Sequence, residues 1–206
     1  EPIFGFPTIV GQNGYDGKYD NYFSYDPEKA KELLAEAGYP DGFSCKLLSS
    51  STYAMHEQTA VCVQSSLAEI GIKVELELPD WATRIERSNV GDYDMMVSGT
   101  TGNIVDMDWA TNYYESGDVR MNSCPGFADD KIDELLQKGR TTLDEKEREE
   151  IYDQFRERAL ELSPFVFINF REQVFATAKN VHGFQNLDGI LTYLSGLTLQ
   201  DTYVEE

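Results

Sequence analysis

Residues 99–128 carry the side chains best suited to holding a small molecule. The run is long, irregular and rich in Gly, Thr, Asn and aromatic residues. Inside a compact domain, such a loop is more often functional than filler. Trp109, Tyr113 and Tyr114 offer flat surface able to stack on a sugar ring, a peptide side chain or an apolar ligand, and the same rings can equally fill a loop core. Catalytic chemistry is not written here. The chain has no Gly-x-Ser-x-Gly elbow, phosphate loop or His-Glu-x-x-His pair, and carboxylate clusters such as Glu145–Glu150 read as a solvated helix face. His56 and His182 have no ligand spacing, and Asp129-Asp130 lacks the calcium-loop pattern. The expectation is therefore no catalytic residue, no cofactor and no metal.

Helices and strands in crossover order must position that run. Asp26 can cap a helix that accepts Pro27 in its first turn and repeats Ala30, Leu33, Leu34 and Ala37 on one face, with Gly38 ending it. Tyr39-Pro40-Asp41-Gly42 reads as a turn into a strand at 43–48. Next come a helix facing inward with Ala60, Val63, Leu67 and Ile70, closed by Gly71, and a strictly alternating strand at 72–78. Asp80 caps a helix containing Trp81, Arg84, Ile85 and Arg87, which yields to a strand at 93–98. Trp81 is the member expected to pack against the sheet. Strand and helix alternate as in crossover units laid over a largely parallel sheet.

Downstream, Asp129 can cap a helix with Ile132, Leu135 and Leu136 that ends near Gly139. Asp144 and Glu147 have capping-box spacing before a long helix facing inward with Ile151, Phe155, Ala159 and Leu162. Residues 165–170 read as a strand covered on both faces, with 174–178 as its neighbour. The chain's 206 residues fit one sizeable domain, and a formal charge of −20 argues against a nucleic-acid or anionic-membrane partner. Cys45, Cys62 and Cys124, odd in number and widely spaced, support neither a disulfide scaffold nor a four-ligand zinc site; one pair remains open to bridging outside the cell.

The wording of several blocks goes beyond periodicity. Tyr25-Asp26-Pro27-Glu28-Lys29-Ala30-Lys31-Glu32-Leu33-Leu34-Ala35-Glu36-Ala37-Gly38 resembles the signature of family 5 extracellular solute-binding proteins. Leu67-Ala68-Glu69-Ile70-Gly71-Ile72-Lys73-Val74, Trp81-Ala82-Thr83, Gly91-Asp92-Tyr93-Asp94 and Ser163-Pro164-Phe165 are similar to the same family in the same order. The resemblance runs from about residue 20 to about 190. It implies an α/β lobe of the type II periplasmic-binding-protein kind, with a mixed, largely parallel sheet flanked by helices. It also implies a two-lobed parent. Residues 25–180 would form one ligand-binding lobe, 1–24 a lead-in from the other lobe, and 181–206 a return toward it.

The implied activity is capture of a solute, oligopeptide first and oligosaccharide as the alternative, for a membrane-embedded ABC permease. The implied place is extracytoplasmic, periplasmic or attached to the cell surface as a lipoprotein, and the implied state is monomeric. A receptor or protein-interaction module is the rival from a different class. In peptide-binding members, an acid after the Tyr-Asp strand pairs with the peptide's amino group, and the aligned position here is Asn103. An Asn carbonyl offers a dipole where a buried ammonium calls for a full charge. Asp106 or Asp108 can supply that charge from a shifted loop, or can simply cap turns. The resemblance thus implies Thr101, Asn103, Asp106, Asp108, Trp109 and Tyr113 as ligand contacts.

Overall fold

The computed structural model describes residues 2–7, 17–99, 106–117, 119, 122–170, 174–185 and 199–205. Capping starts most of its helices. Asp26 accepts the Lys29 amide at 2.9 Å to open α1 (Pro27–Glu36), and Gly38, with φ +93°, ends it. The Gly42 amide closes the expected turn on the Tyr39 carbonyl at 2.9 Å. That turn delivers β1 (Ser44–Leu48), then α2 (Ala54–Ala68), β2 (Lys73–Glu77), α3 (Trp81–Asn89) and β3 (Met95–Met96).

β1 is central in a three-stranded parallel sheet of order β2-β1-β3, with Cys45 opposite Val74 and Leu47 opposite both Leu76 and Met95. Crossovers to opposite sides of β1 place α2 and α3 on opposite faces, given the right-handed rule. On one face Cys45, Leu47, Val74 and Val97 pack with Ala60 of α2. On the other, Arg87 of α3 reaches Glu77, which also pairs with Lys46. β3 is shorter than the expected 93–98. The Asp94 carboxylate takes the Lys46 amide at 2.7 Å, so a side chain replaces the ladder carbonyl there.

A second core gathers the helices that follow. A 3-10 turn (Met107–Ala110) leads into α4 (Thr111–Tyr114), and α5 (Asp130–Thr141) packs on α6 (Glu145–Leu162). Phe6, Tyr19, Met107, Tyr114, Ile132, Leu136, Tyr152 and Phe155 are buried together here. Asp129 and Asp144 cap α5 and α6 through the Ile132 and Glu147 amides. α5 runs two residues past Gly139, to Thr141. Gly139 lies inside the helix against the Tyr152 ring, so its missing Cβ serves a close approach instead of a terminus.

Residues 165–170 are not a strand covered on both faces. Phe165 and Phe167 pack on the helical core, Val166 is 82% exposed, and the pairing consists of a bridge from Pro2 to Asn169. Residues 174–178 form no strand beside it. A small antiparallel pair, β4 (Val181–His182) and β5 (Tyr203–Val204), makes the strand content mixed though largely parallel. The architecture is α/β, a sheet flanked by helices, as in a type II periplasmic-binding-protein lobe. Cys45, Cys62 and Cys124 are free thiols.

Candidate functional site

In open parallel sheets, ligands sit outside the carboxyl ends of the strands where the strand order reverses. Here that place lies between β1 and β3, where Ser49 and Ser50 face Val97 and Ser98. The strand ends are tightly bonded. Ser49 Oγ donates to the His56 carbonyl at 2.9 Å, Ser50 Oγ to the Pro79 carbonyl at 3.2 Å, and the Trp81 amide to Thr52 Oγ1 at 3.1 Å. Asp80 caps α3 through the Ala82 and Thr83 amides, fixing which residues of the first turns face inward.

One of those inward residues is Arg84, 1% exposed, whose Nη2 donates to the Val97 carbonyl at 2.9 Å. Its guanidinium lies 5.0 Å from the centre of the Trp81 ring. His56 stands beside it, 9% exposed, in edge contact with Trp81 at 5.4 Å. Tyr53 completes the aromatic layer at 5.1 Å from Trp81 and is 46% exposed. Burial lowers the Arg84 pKa, with Tyr93 opposing. Burial and then the Arg84 charge lower that of His56, leaving its imidazole neutral at pH 7. Sequence reasoning placed Trp81 against the sheet and found no metal-ligand spacing for His56. The structure sets both at the strand ends, with Trp81 roofing Arg84. The legible signal was the spacing of 81, 84 and 88, which puts an arginine on the buried side of α3.

Of the residues expected from the sequence, Thr101 and Asn103 lie outside the described residues. The other four come together at the 3-10 turn. Asp106 opens it by accepting the Asp108 amide at 2.8 Å and takes a two-pronged bond from Arg148, at 2.8 and 2.6 Å. Those arginine bonds hold its carboxyl below the usual range, against the opposing effect of burial. Asp108 accepts from Thr111 Oγ1 at 3.0 Å and from Arg140 Nε at 3.1 Å. Trp109 is half-buried, 5.2 Å from Tyr113, and Tyr113 lies 5.8 Å from Phe165. The buried Trp109 indole N–H finds no acceptor among the described residues. The two carboxylates are therefore already paired with arginines, whereas the indole keeps a donor to offer. No group of His, Cys, Asp and Glu able to hold a metal ion occurs among the described residues.

The model of the bacterial extracellular solute-binding proteins, family 5 Middle, matches residues 2–122. The chain belongs to that family. A structure of the solute-binding protein AgaA from A. tumefaciens R10, in complex with agropinic acid, matches the whole of this family 5 chain at 51% identity and TM-score 0.86, over 42% of its own length. The Helicobacter pylori periplasmic binding protein DppA, bound to the peptide STSA, matches the whole chain at 27% identity and TM-score 0.74, over 39% of its length. A dipeptide-binding protein of Pseudomonas aeruginosa is 29% identical over 166 residues, covering 78% of this chain and 31% of the relative. This family 5 chain thus spans 31–42% of the length of these three proteins.

Proposed function

We propose that this chain is one wall of a two-lobed protein that captures a small solute outside the cytoplasmic membrane and hands it to a membrane-embedded ABC permease. On this reading residues 25–180 make up the ligand-binding lobe, to whose core Phe6 and Tyr19 also contribute, and the flanking segments are connections to the second lobe. Solute bound in the open cleft stabilises the closed form, which the permease recognises. The observation carrying this reading is a parallel sheet whose strand ends carry a hydrogen-bonded aromatic cluster, in a lobe that superposes over its whole length on a solute complex at TM-score 0.86.

The solute class we favour is a small non-peptide acid. AgaA, at 51% identity, is seen with agropinic acid, while the peptide-named relatives stand near 30% or below. The expected oligopeptide is the second reading, supported by those relatives and opposed by Asn103 at the position aligned with the peptide-binding acid. Either way, Trp109 and Tyr113 supply stacking surface and the Trp109 N–H a donor; Thr101 and Asn103 complete the set of proposed contacts.

Native mass spectrometry of the full-length protein, purified gently from its own host, tests the reading. One discrete small-acid mass is expected. A ladder of peptide masses would replace the acid by the peptide class, and a cleft that stays empty with every candidate would favour the interaction-module rival.

A further inference from the structure

Arg87, Arg140, Arg148, Arg156 and Arg158 each hold a carboxylate. Arg84, the most deeply placed arginine at the strand ends, holds none among the described residues; its one hydrogen bond there goes to the Val97 carbonyl. A chain with 37 acidic side chains does not lack carboxylates to pair with it. A buried guanidinium without a counter-charge is costly, and an apolar residue of similar shape would fill the space without that cost. The guanidinium carries five donors in a fixed fork, and its buried Nε makes no hydrogen bond among the described residues. His56 Nδ1 is also buried without a partner there.

We propose that Arg84 and His56 form a carboxylate subsite at the carboxyl ends of β1 and β3, and that the captured solute docks a carboxylate there. The inference rests on the solute-capture reading above and deepens it by naming the group recognised. Two oxygens of a carboxylate match two parallel donors of the guanidinium fork, the geometry in which arginine binds most selectively. His56, whose buried Nδ1 has no partner among the described residues, offers that nitrogen to a hydroxyl or N–H on the same solute. Movement of the outer rings, half-exposed Tyr53 and Trp81 beneath it, admits the ligand. Both a non-peptide acid and a peptide carry the required group, so the subsite fits either source.

Calorimetric titration of the full-length protein separates the cases, with agropinic acid against its methyl ester and the dipeptide Met-Leu against its C-terminal amide. Wild type is expected to prefer one acid over its neutral analogue by at least about 30-fold. Arg84→Gln should bind acid and analogue alike, and Arg84→Lys, which keeps the charge but not the fork, should fall between. Circular dichroism confirms folding. If Arg84→Gln does not fold, the discrimination ratios of wild type and Arg84→Lys decide. A folded Arg84→Gln that discriminates as wild type does would assign Arg84 a packing role and overturn the subsite. Equal wild-type affinity for an acid and its analogue overturns the subsite while leaving solute capture intact. If no probe binds, the solute found by native mass spectrometry decides: one lacking a carboxylate overturns the subsite alone, one bearing a carboxylate enters the same titration with its amide, and an empty cleft overturns both readings.

Discussion

Gly139→Ala tests how the helical core is fitted together. A Cβ at 139 would lie 2.5, 2.8 and 2.9 Å from three atoms of the Tyr152 ring. Carbon atoms rest at about 3.5 Å or more, so the ring must retreat by roughly 1 Å. It has little freedom to do so. Tyr152 is 3% exposed, its hydroxyl meets Arg148 Nη2 at 3.3 Å, and the Arg148 guanidinium lies 4.9 Å from its ring centre. Arg148 is itself tied to Asp106 and, through Nε, to the Gly139 carbonyl at 2.7 Å. Alanine recovers about 1 kcal/mol of helix propensity, whereas forcing a methyl into a packed core costs about 1–3 kcal/mol. Because the ring is held on several sides, we take the upper part of that range and expect a net loss of about 2 kcal/mol. For a chain of this size that lowers Tm by about 4–8 °C, read by circular dichroism at 222 nm. Adding Tyr152→Leu should make the alanine nearly harmless, a non-additivity that marks direct contact. An unchanged or higher Tm for Gly139→Ala alone would refute the contact and return Gly139 to the helix-ending role its sequence position suggested.

Asp106→Asn removes one charge from the pair with Arg148. The folded-state carboxyl pKa is depressed, so the pair stabilises above the unfolded value of about 4 and that contribution fades as pH falls through the folded pKa. Thermal melts should therefore show wild type ahead of Asp106→Asn at pH 7, with the gap narrowing as pH falls below the unfolded value of about 4; a gap that stays unchanged throughout acid titration would rule out the charge as its cause. In thiol labelling of the native protein, Cys62, exposed on α2, should react quickly. Cys45 should react only after unfolding, since burial raises its pKa and blocks access. Equal rates at both would contradict the sheet packing.

The features legible in the sequence are those decided within a few residues. Asp26, Asp80, Asp129 and Asp144 cap helices because each carboxylate needs an amide two or three positions ahead. The crossover order followed from alternation at 72–78 and helical spacing on either side, and the family from the wording around Asp26. What escaped was decided by distant partners. Gly139 looks like a terminator until Tyr152, a helix away, is seen to fill its missing Cβ. Residues 165–170 look doubly covered because Val and Ile alternate with Phe, yet only the Phe side meets the helical core. Arg84 looks like any helix charge, since nothing local tells whether a carboxylate will face it.

The two kinds of arginine explain how a ligand wall can be held still without being used up. The described residues on either side of positions 100–105 are anchored differently. Upstream, Arg84 bonds the Val97 carbonyl and Ser98 Oγ meets Asn122 at 3.1 Å, leaving most of the guanidinium's donors unused. Downstream, Arg148 and Arg140 saturate Asp106 and Asp108 and tie the turn to α5 and α6. A paired arginine fixes backbone and adds little attraction for a solute, because its charge is already met. An unpaired one adds attraction and costs stability until a solute arrives. If the proposed subsite holds, placing the saturated pairs at the downstream flank and the unsaturated guanidinium at the strand ends divides positioning from recognition, and the stability gained on capture falls at the strand ends.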